Sequence, residues 1–496
     1  MLAVATLRVG PGQLHLCAER AQAADVLRVR CELLPGVYVG EAIQYYGPTP
    51  LEIFGSGPST ILDGSEPISN ASWSKVNASN PEDGRYWTSI VDPSQRRDYV
   101  QAFQLDGANF SWMPEARFPN LGSAELDKVL KLTSWGFCGE GSAKGKCVDR
   151  PDAWSDLSKP SRLGVHVDWT GALATLNIAS RYATYTRTVE SYTRHAAKGQ
   201  FTFRGDLGPG PGSSGSWVGG RYFLSGVFDA LDAPGEWWVD SQTWTAYAWM
   251  RDGAPPADRF RLKARSYCVE SSNAAVTIRN VSFRGCTFRL RNCSTNCLVS
   301  DVDLDFPSYT REIHLRDMHG PFTEGPPPNH TIFEADNSAV RNLALRHSNA
   351  AGLKVVGSNN SLSELLIERC DWLGTLDYPP LEIGFDHDKL TNTSTAGLPG
   401  LRMYPRATRG VNNVVTRATV RHGGNALVVT SQLANEVSYS HIYDGGLIGR
   451  DDALLHADNS AVSCMDYHLP PERRANCTKT WHHNWVRRDR DAHGIF

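Results

Sequence analysis

Residues 278–283 follow a short frame of apolar, variable, polar, apolar, variable, apolar, with Ile278, Val281 and Phe283 as its apolar members. The frame returns as Val299/Val302/Leu304, Val340/Leu343/Leu345, Leu362/Leu365/Ile367, Val415/Ala418/Val420, Val437/Ser440/Ile442 and, less purely, Trp481/Asn484/Val486. Its first members are separated by 21, 41, 22, 53, 22 and 44 residues. Two of these gaps are close to twice 22, and 53 is 22 plus a loop of 31, so one period underlies all of them. Such a period marks a solenoid, whose units bury their faces against one another. The last three positions of each frame alternate as a half-buried strand does. Asn337, Asn360, Asn413 and Asn435 precede four of the strands. Stacked Asn amides can hydrogen-bond along the axis and satisfy polar groups at a turn. A leucine-rich repeat has a similar period, but its dense Leu-x-x-Leu-x-Leu signature is absent. The pattern predicts an all-β chain built on a right-handed parallel β-helix, with its main part over 266–496.

The amino-terminal 1–66 fits the same architecture through Val29, Leu34, Val37 and Val39, then Leu51–Gly55 and Thr60–Gly64, with Gly and Pro between them. Between 67 and 265 the period disappears. That stretch holds most of the 14 tryptophans and Gly-rich turns such as Gly208–Gly212, and it reads as an inserted or flanking β-rich subdomain. A single compact core does not suit 496 residues, whereas a solenoid does. The net charge of −3 offers no basic field for nucleic acid, and no apolar run reaches the ~20 residues of a membrane span. Met1–Val9 lacks the h-region and cleavage site of a leader, so either a leader is missing or the chain is a fragment. A monomer is expected.

Four cysteine pairs are locally spaced: Cys17/Cys31, Cys138/Cys147, Cys293/Cys297 and Cys464/Cys477, leaving Cys268, Cys286 and Cys370. Scattered buried thiols and local disulfides are the alternatives. A disulfide between Cys464 and Cys477 would pin the base of the loop over 468–474. Nine Asn-x-Ser/Thr sequons begin at Asn70, Asn77, Asn109, Asn280, Asn292, Asn329, Asn359, Asn392 and Asn476. Cysteines and sequons together predict a secreted, extracellular glycoprotein.

Several short segments resemble, in order, a group of pectin-lyase-like right-handed β-helix proteins that act on carbohydrates. They are Leu34–Tyr38, Ile61–Gly64, Gln104–Gly107, Glu115–Asn120, Ala233–Asp240, His441–Asp444 with Arg450–Ala453, and His482–Val486. The resemblance covers nearly the whole chain and implies a carbohydrate-active enzyme of glycoside hydrolase, polysaccharide lyase or uronate epimerase type. Fold alone does not choose among these. It also implies a chain that continues beyond Gly494–Phe496, leaving this one stopped in mid-coil.

Two residues past the third apolar position runs a column: His347, Arg369, His422, Asp444 and Arg488. Coils stack about 4.8 Å apart, so a column is a linear array of polar groups, suited to a linear polysaccharide. A solvated turn edge is the plainer reading. Titratable residues become dense toward its carboxyl-terminal end, with Asp451, Asp452, His456 and His483. Glycoside hydrolysis needs one carboxylic acid to protonate the leaving oxygen and one carboxylate to attack carbon or activate water. Asp444 with Asp452 or Asp451 would supply the pair, His422 would tune it, and Arg369, Arg488, His347, His456 and His483 would bind substrate. A lyase or epimerase would instead use His422 as base and Arg369 with Arg488, or Ca²⁺, to neutralise a uronate. A non-catalytic carbohydrate-binding surface protein is the third class. No cofactor is required. Asp301, Asp303 and Asp305 alternate along one strand and offer a weak Ca²⁺ candidate against a solvated acidic face. Asp386-His387-Asp388 resembles the Asp-Pro-His-Asp motif of alginate epimerases without its proline.

Overall fold

A computed structural model describes residues 3–23, 25–80, 82–121, 126–178, 184–195, 198–205, 217–293, 296–313, 330–374, 379–384, 410–430, 434–449, 453–457, 480–487 and 493–495. The chain divides into two compact units, Met1–Gly64 with Arg265–Thr310 and Pro326–Phe496, and Ser65–Ala264 with Arg311–Gly325.

The first unit is a right-handed parallel β-helix. Its main sheet runs through Ala3–Val9, Val26–Leu33, Leu51–Phe54, Val276–Arg284, Leu298–Asp305, Ala339–Ser348, Ser361–Cys370, Val414–Thr416, Glu436–Ser438 and Thr480–His482. Later coils split each strand in two, so Thr419–Gly423, His441–Tyr443 and Trp485–Arg487 extend the same sheet. A second parallel sheet runs from Ile43–Tyr45 through Thr287–Cys293 and Leu353–Val356 to His493–Ile495. The apolar frames stack in the expected register: Ile278, Val299, Val340, Leu362, Val415 and Val437 are successive partners, all buried.

Strict alternation would send positions three apart to opposite faces of a strand. Ile278 and Val281 nevertheless both point inward, because Asn280 between them has φ +56° and resets the phase as a bulge does. Asp301, Asn342, Glu364, Arg417, Tyr439 and His483 repeat that left-handed conformation coil after coil. A second left-handed column, Gly285, Phe306, His347, Arg369, His422 and Asp444, turns each strand out of the sheet. The polar column read from the sequence is therefore the corner of the coil. Only glycine adopts this conformation without steric cost, so the bulkier residues there are held by the packing beneath them.

The asparagine ladder forms with one correction. Asn360 N–H donates to Asn413 Oδ1 (3.0 Å) and Asn413 N–H to Asn435 Oδ1 (2.9 Å), all three side chains being buried. At the preceding coil the position belongs to Ser338, whose N–H donates to Asn360 Oδ1 (3.1 Å). Asn337 is one residue out and exposed. It joins an outer ladder with Asn359 and Asn412, each amide donating to the one before at 3.2 Å. The left-handed φ of Asn337 (+50°) puts its side chain on the outer rank.

The helix His15–Gln22, absent from the sequence reading, buries Cys17, Ala18 and Ala21, and Cys17 is bridged to Cys31 with Cα atoms 5.9 Å apart. Cys293–Cys297 also forms, and so does Cys268–Cys286, two residues that the sequence reading left unpaired. Cys268 lies on Tyr267–Ser272 and Cys286 immediately precedes Thr287–Cys293, its partner strand in the second sheet, which brings the thiols together across 18 residues. Cys370 is buried and free, and Cys464 and Cys477 lie outside the described residues.

The second unit is antiparallel. Its sheets include a seven-stranded one containing Leu173–Asn177, Tyr185–His195, Lys198–Phe203 and Arg221–Ser225, and two four-stranded ones. Cys138–Cys147 forms here, and aromatic side chains such as Phe201, Phe203 and Tyr222 fill the core. Among the described residues no helix is long and apolar enough to cross a membrane.

Candidate functional site on the outer face of the main sheet

The outer face of the later strands presents two adjacent rows. One is the corner column already described. The other lies one residue earlier on each strand, at Asp63, Arg284, Asp305, Arg346, Glu368, Arg421, Tyr443 and Arg487, consecutive partners in the sheet register. The signs alternate along most of this row. Asp63 pairs with Arg284 (2.7 Å), Arg346 with Glu368 (3.2 Å) and Arg421 with Glu368 (2.7 Å). The sequence reading missed it. Carrying the apolar frame one residue further on every coil would have revealed the alternation.

Glu368 is the hub of this row. Its Oε1 faces Arg346 Nε (3.2 Å) and Arg369 Nη1 (3.3 Å), and its Oε2 accepts from Arg421 Nε (2.7 Å). Burial alone would push the carboxyl up, but the Arg421 hydrogen bonds and the charges of Arg421, Arg369 and Arg346 outweigh it. The group is held below the ordinary carboxylate range. A carboxylate tied on both oxygens positions arginines and is not a free nucleophile. Arg421 Nη1 also donates to the Tyr443 hydroxyl at 2.8 Å.

His422 and Asp444 are neighbours at the corner, with Nε2 to Oδ2 at 3.2 Å and both side chains partly exposed. Their strands, Thr419–Gly423 and His441–Tyr443, are adjacent, as the 22-residue spacing implies. His422 Nδ1 is shielded from solvent and has no hydrogen-bond partner among the described residues. His347 lies two coils before His422 and pairs elsewhere, Nδ1 to Asp305 Oδ1 at 2.6 Å, with its ring stacked on Phe306. Arg369 lies between the two histidines in the column and packs against Glu368. His483 is exposed on the mid-strand column, stacked on Tyr439 at 4.8 Å, outside the corner column. Asp451, Asp452 and Arg488 lie outside the described residues, as do the His456 side chain and Asp386-His387-Asp388.

The three aspartates of the Ca²⁺ candidate each have a different partner. Asp301 accepts from Asn342 Nδ2 (2.9 Å), Asp303 pairs with Arg346 (3.1 Å) and Asp305 with His347. Among the described residues no three His, Cys, Asp or Glu side chains are grouped to hold a metal ion.

No family model matches the chain, and no curated protein matches it in sequence. Among solved structures it is similar to one named "Glycoside hydrolase", with TM-score 0.55 and 12% identity over 91% of this chain and 85% of that one. A second, "The complex structure of XylC with xylose", aligns with TM-score 0.31 and 10% identity over 97% and 58%. A third, "Crystal Structure of the Pseudomonas phage phi297 tailspike gp61", aligns with TM-score 0.18 and 10% identity over 86% and 57%. The first of these likenesses is one of fold.

Proposed function

We propose that the protein is an extracellular carbohydrate-active enzyme that hydrolyses glycosidic bonds of a polysaccharide lying along the outer face of the main sheet. The observation that carries this reading is the His422–Asp444 contact on adjacent coils, beside the paired Arg421 and Glu368. One carboxyl gives its proton to the glycosidic oxygen, and the other attacks the anomeric carbon or draws a proton from water. Asp444, oriented by the His422 imidazole, takes the second role. Asp452 or Asp451, later on the same segment, takes the first. A carboxyl separation of about 5–5.5 Å would give retention and ~6.5–9.5 Å inversion. The four disulfides among the described residues suit an oxidising compartment.

The test is reducing-sugar release from a panel of neutral, uronate and sulfated polysaccharides. Asp444→Asn should lower turnover by about 100-fold or more, while the melting temperature stays nearly unchanged because the side chain is partly exposed. Full activity in that variant would sink the assignment.

The same contact supports a second reading, a lyase in which His422 is the base and Asp444 orients it. Against it, Arg369, one of the two cations assigned to the uronate, already faces Glu368, while Arg488 lies outside the described residues. Ultraviolet-absorbing unsaturated products would decide for the lyase.

A further inference from the structure

The last described coils carry a run of aromatic rings beside His422 and Asp444. Tyr439 is 56% exposed and Trp485 48%, although large aromatic side chains seldom stay so open on a soluble surface. Trp485 lies 5.4 Å from the Tyr443 ring and 5.8 Å from His441. Tyr443 in turn lies 6.4 Å from the His422 ring, so the run reaches the candidate pair without a break. Tyr439 stacks on His483 at 4.8 Å with planes 9° apart. Trp485, His441 and Tyr443 stand on adjacent strands, Trp485–Arg487 and His441–Tyr443, whose register puts Trp485 opposite His441.

Resting on the reading of this face as the carbohydrate site, we infer that Trp485, Tyr439 and His441 form a stacking platform for sugar rings of a neutral glycan. Aromatic faces present apolar π surface while the indole N–H, phenol and imidazole edges stay polar. A pyranose matches that arrangement with C–H faces and hydroxyl edges. The charges nearby argue for a neutral chain over a polyuronate. Arg417 pairs with Glu364 and Arg421 with Glu368, so both cations already have a carboxylate partner within the face. Thr419 lies opposite His441 in the sheet register, and the Arg417–Glu364 pair stands in the same left-handed column as Tyr439, so polar groups border the rings.

The experiment is native affinity electrophoresis of the whole chain in gels containing xylan, mixed-linkage glucan, galactomannan or polygalacturonate. At least one neutral polysaccharide should retard the protein. Trp485→Ala should weaken that retardation about tenfold or more, and Tyr439→Ala less, whereas Trp485→Phe should stay within about threefold of the wild type. Circular dichroism of each variant controls for folding. Asp444→Asn should bind as the wild type does, which separates binding from turnover. Neutral-glycan binding lost in Trp485→Ala, with no hydrolysis by the wild type, would leave the platform standing and remove the hydrolase reading. Retardation by polygalacturonate alone, by no polysaccharide, or equally in Trp485→Ala and wild type would overturn the platform, whatever the hydrolysis assay gives.

Discussion

Glu368 in the solenoid and Asp149 in the antiparallel unit are both withdrawn from water, and their surroundings treat them in opposite ways. Glu368 meets Arg346, Arg369 and Arg421, and its carboxyl is held low. Asp149 meets neutral donors, the Tyr222 hydroxyl (2.6 Å) and the Leu157 N–H (2.8 Å). Burial pushes Asp149 up to about 6, with Asp156 nearby adding to the rise. The difference follows from topology. A parallel stack delivers the same position of each coil to one row, so an acid can have a base immediately above and below it. The antiparallel unit has no such row: Asp149 is satisfied by hydrogen bonds, and buried Asp83 finds its cation in Arg85, two residues along its own chain. The lesson is that the solenoid can display many charges on one face without a large desolvation cost, because stacking supplies the partners.

The largest effect expected from challenging this contrast lies under the solenoid's outer rows. Ile367 and Ile442 are fully buried, and truncating either to Ala should cost about 2–5 kcal/mol in denaturant unfolding through the cavity left behind. A loss below ~1 kcal/mol would mean that the coils do not share a packed core.

Next is the pH dependence of the antiparallel unit. Asp149 titrates higher in the folded than in the unfolded chain, so the folded state keeps a proton that the unfolded chain has released. Its contribution is present at low pH and lost as pH rises toward about 6. Asp149→Asn should remove a decline of up to about 3 kcal/mol between roughly pH 4 and 6. Chemical denaturation at several pH values would show it, and an unaltered profile would refute the assignment.

Glu368→Gln should move the other way. The folded carboxyl is held low, so its contribution is present at neutral pH and lost as pH falls through the folded value. The variant should be about 1–3 kcal/mol less stable than the wild type at pH 7, with the gap closing in acid. Should both variants alter the pH profile with the same sign, the contrast between the units would fail.

The smallest effect is expected at Arg417 and Glu364, an exposed pair 3.3 Å apart on the same face. Arg417→Ala should change stability by no more than about 0.5 kcal/mol, which thermal melts with and without salt would register.

Parts of this organisation were legible along the chain. The frame from Ile278 to Ile442 marks every buried position it names, because apolar periodicity is a local property that the solenoid repeats faithfully. The spacing of His422 and Asp444 foretold their contact for the same reason. The sequons are a more ambiguous signal. Asn70, Asn280, Asn292 and Asn359 all have positive φ, a conformation that favours Asn whether or not it is modified. The Asn359 amide, moreover, donates to Asn337. Backbone demand therefore accounts for part of their surplus.

Sequence by itself determined the period, the inward positions, the corner column and the close spacing of the three local cysteine pairs that are bridged among the described residues, all of which follow from spacings within a coil or a short loop. Tertiary structure alone decided which side chains meet in the row beside that column. Insertions make successive partners 22 residues apart at one level and 53 at another, as for Arg346–Glu368 and Glu368–Arg421. Pairing across strands likewise joined Cys268 to Cys286. The left-handed residues shift the facing of side chains by one position, which sent Asn337 outward and gave its place in the inner ladder to Ser338. The clustering of three arginines on Glu368 exists only once the coils are stacked, because no stretch of the chain contains it.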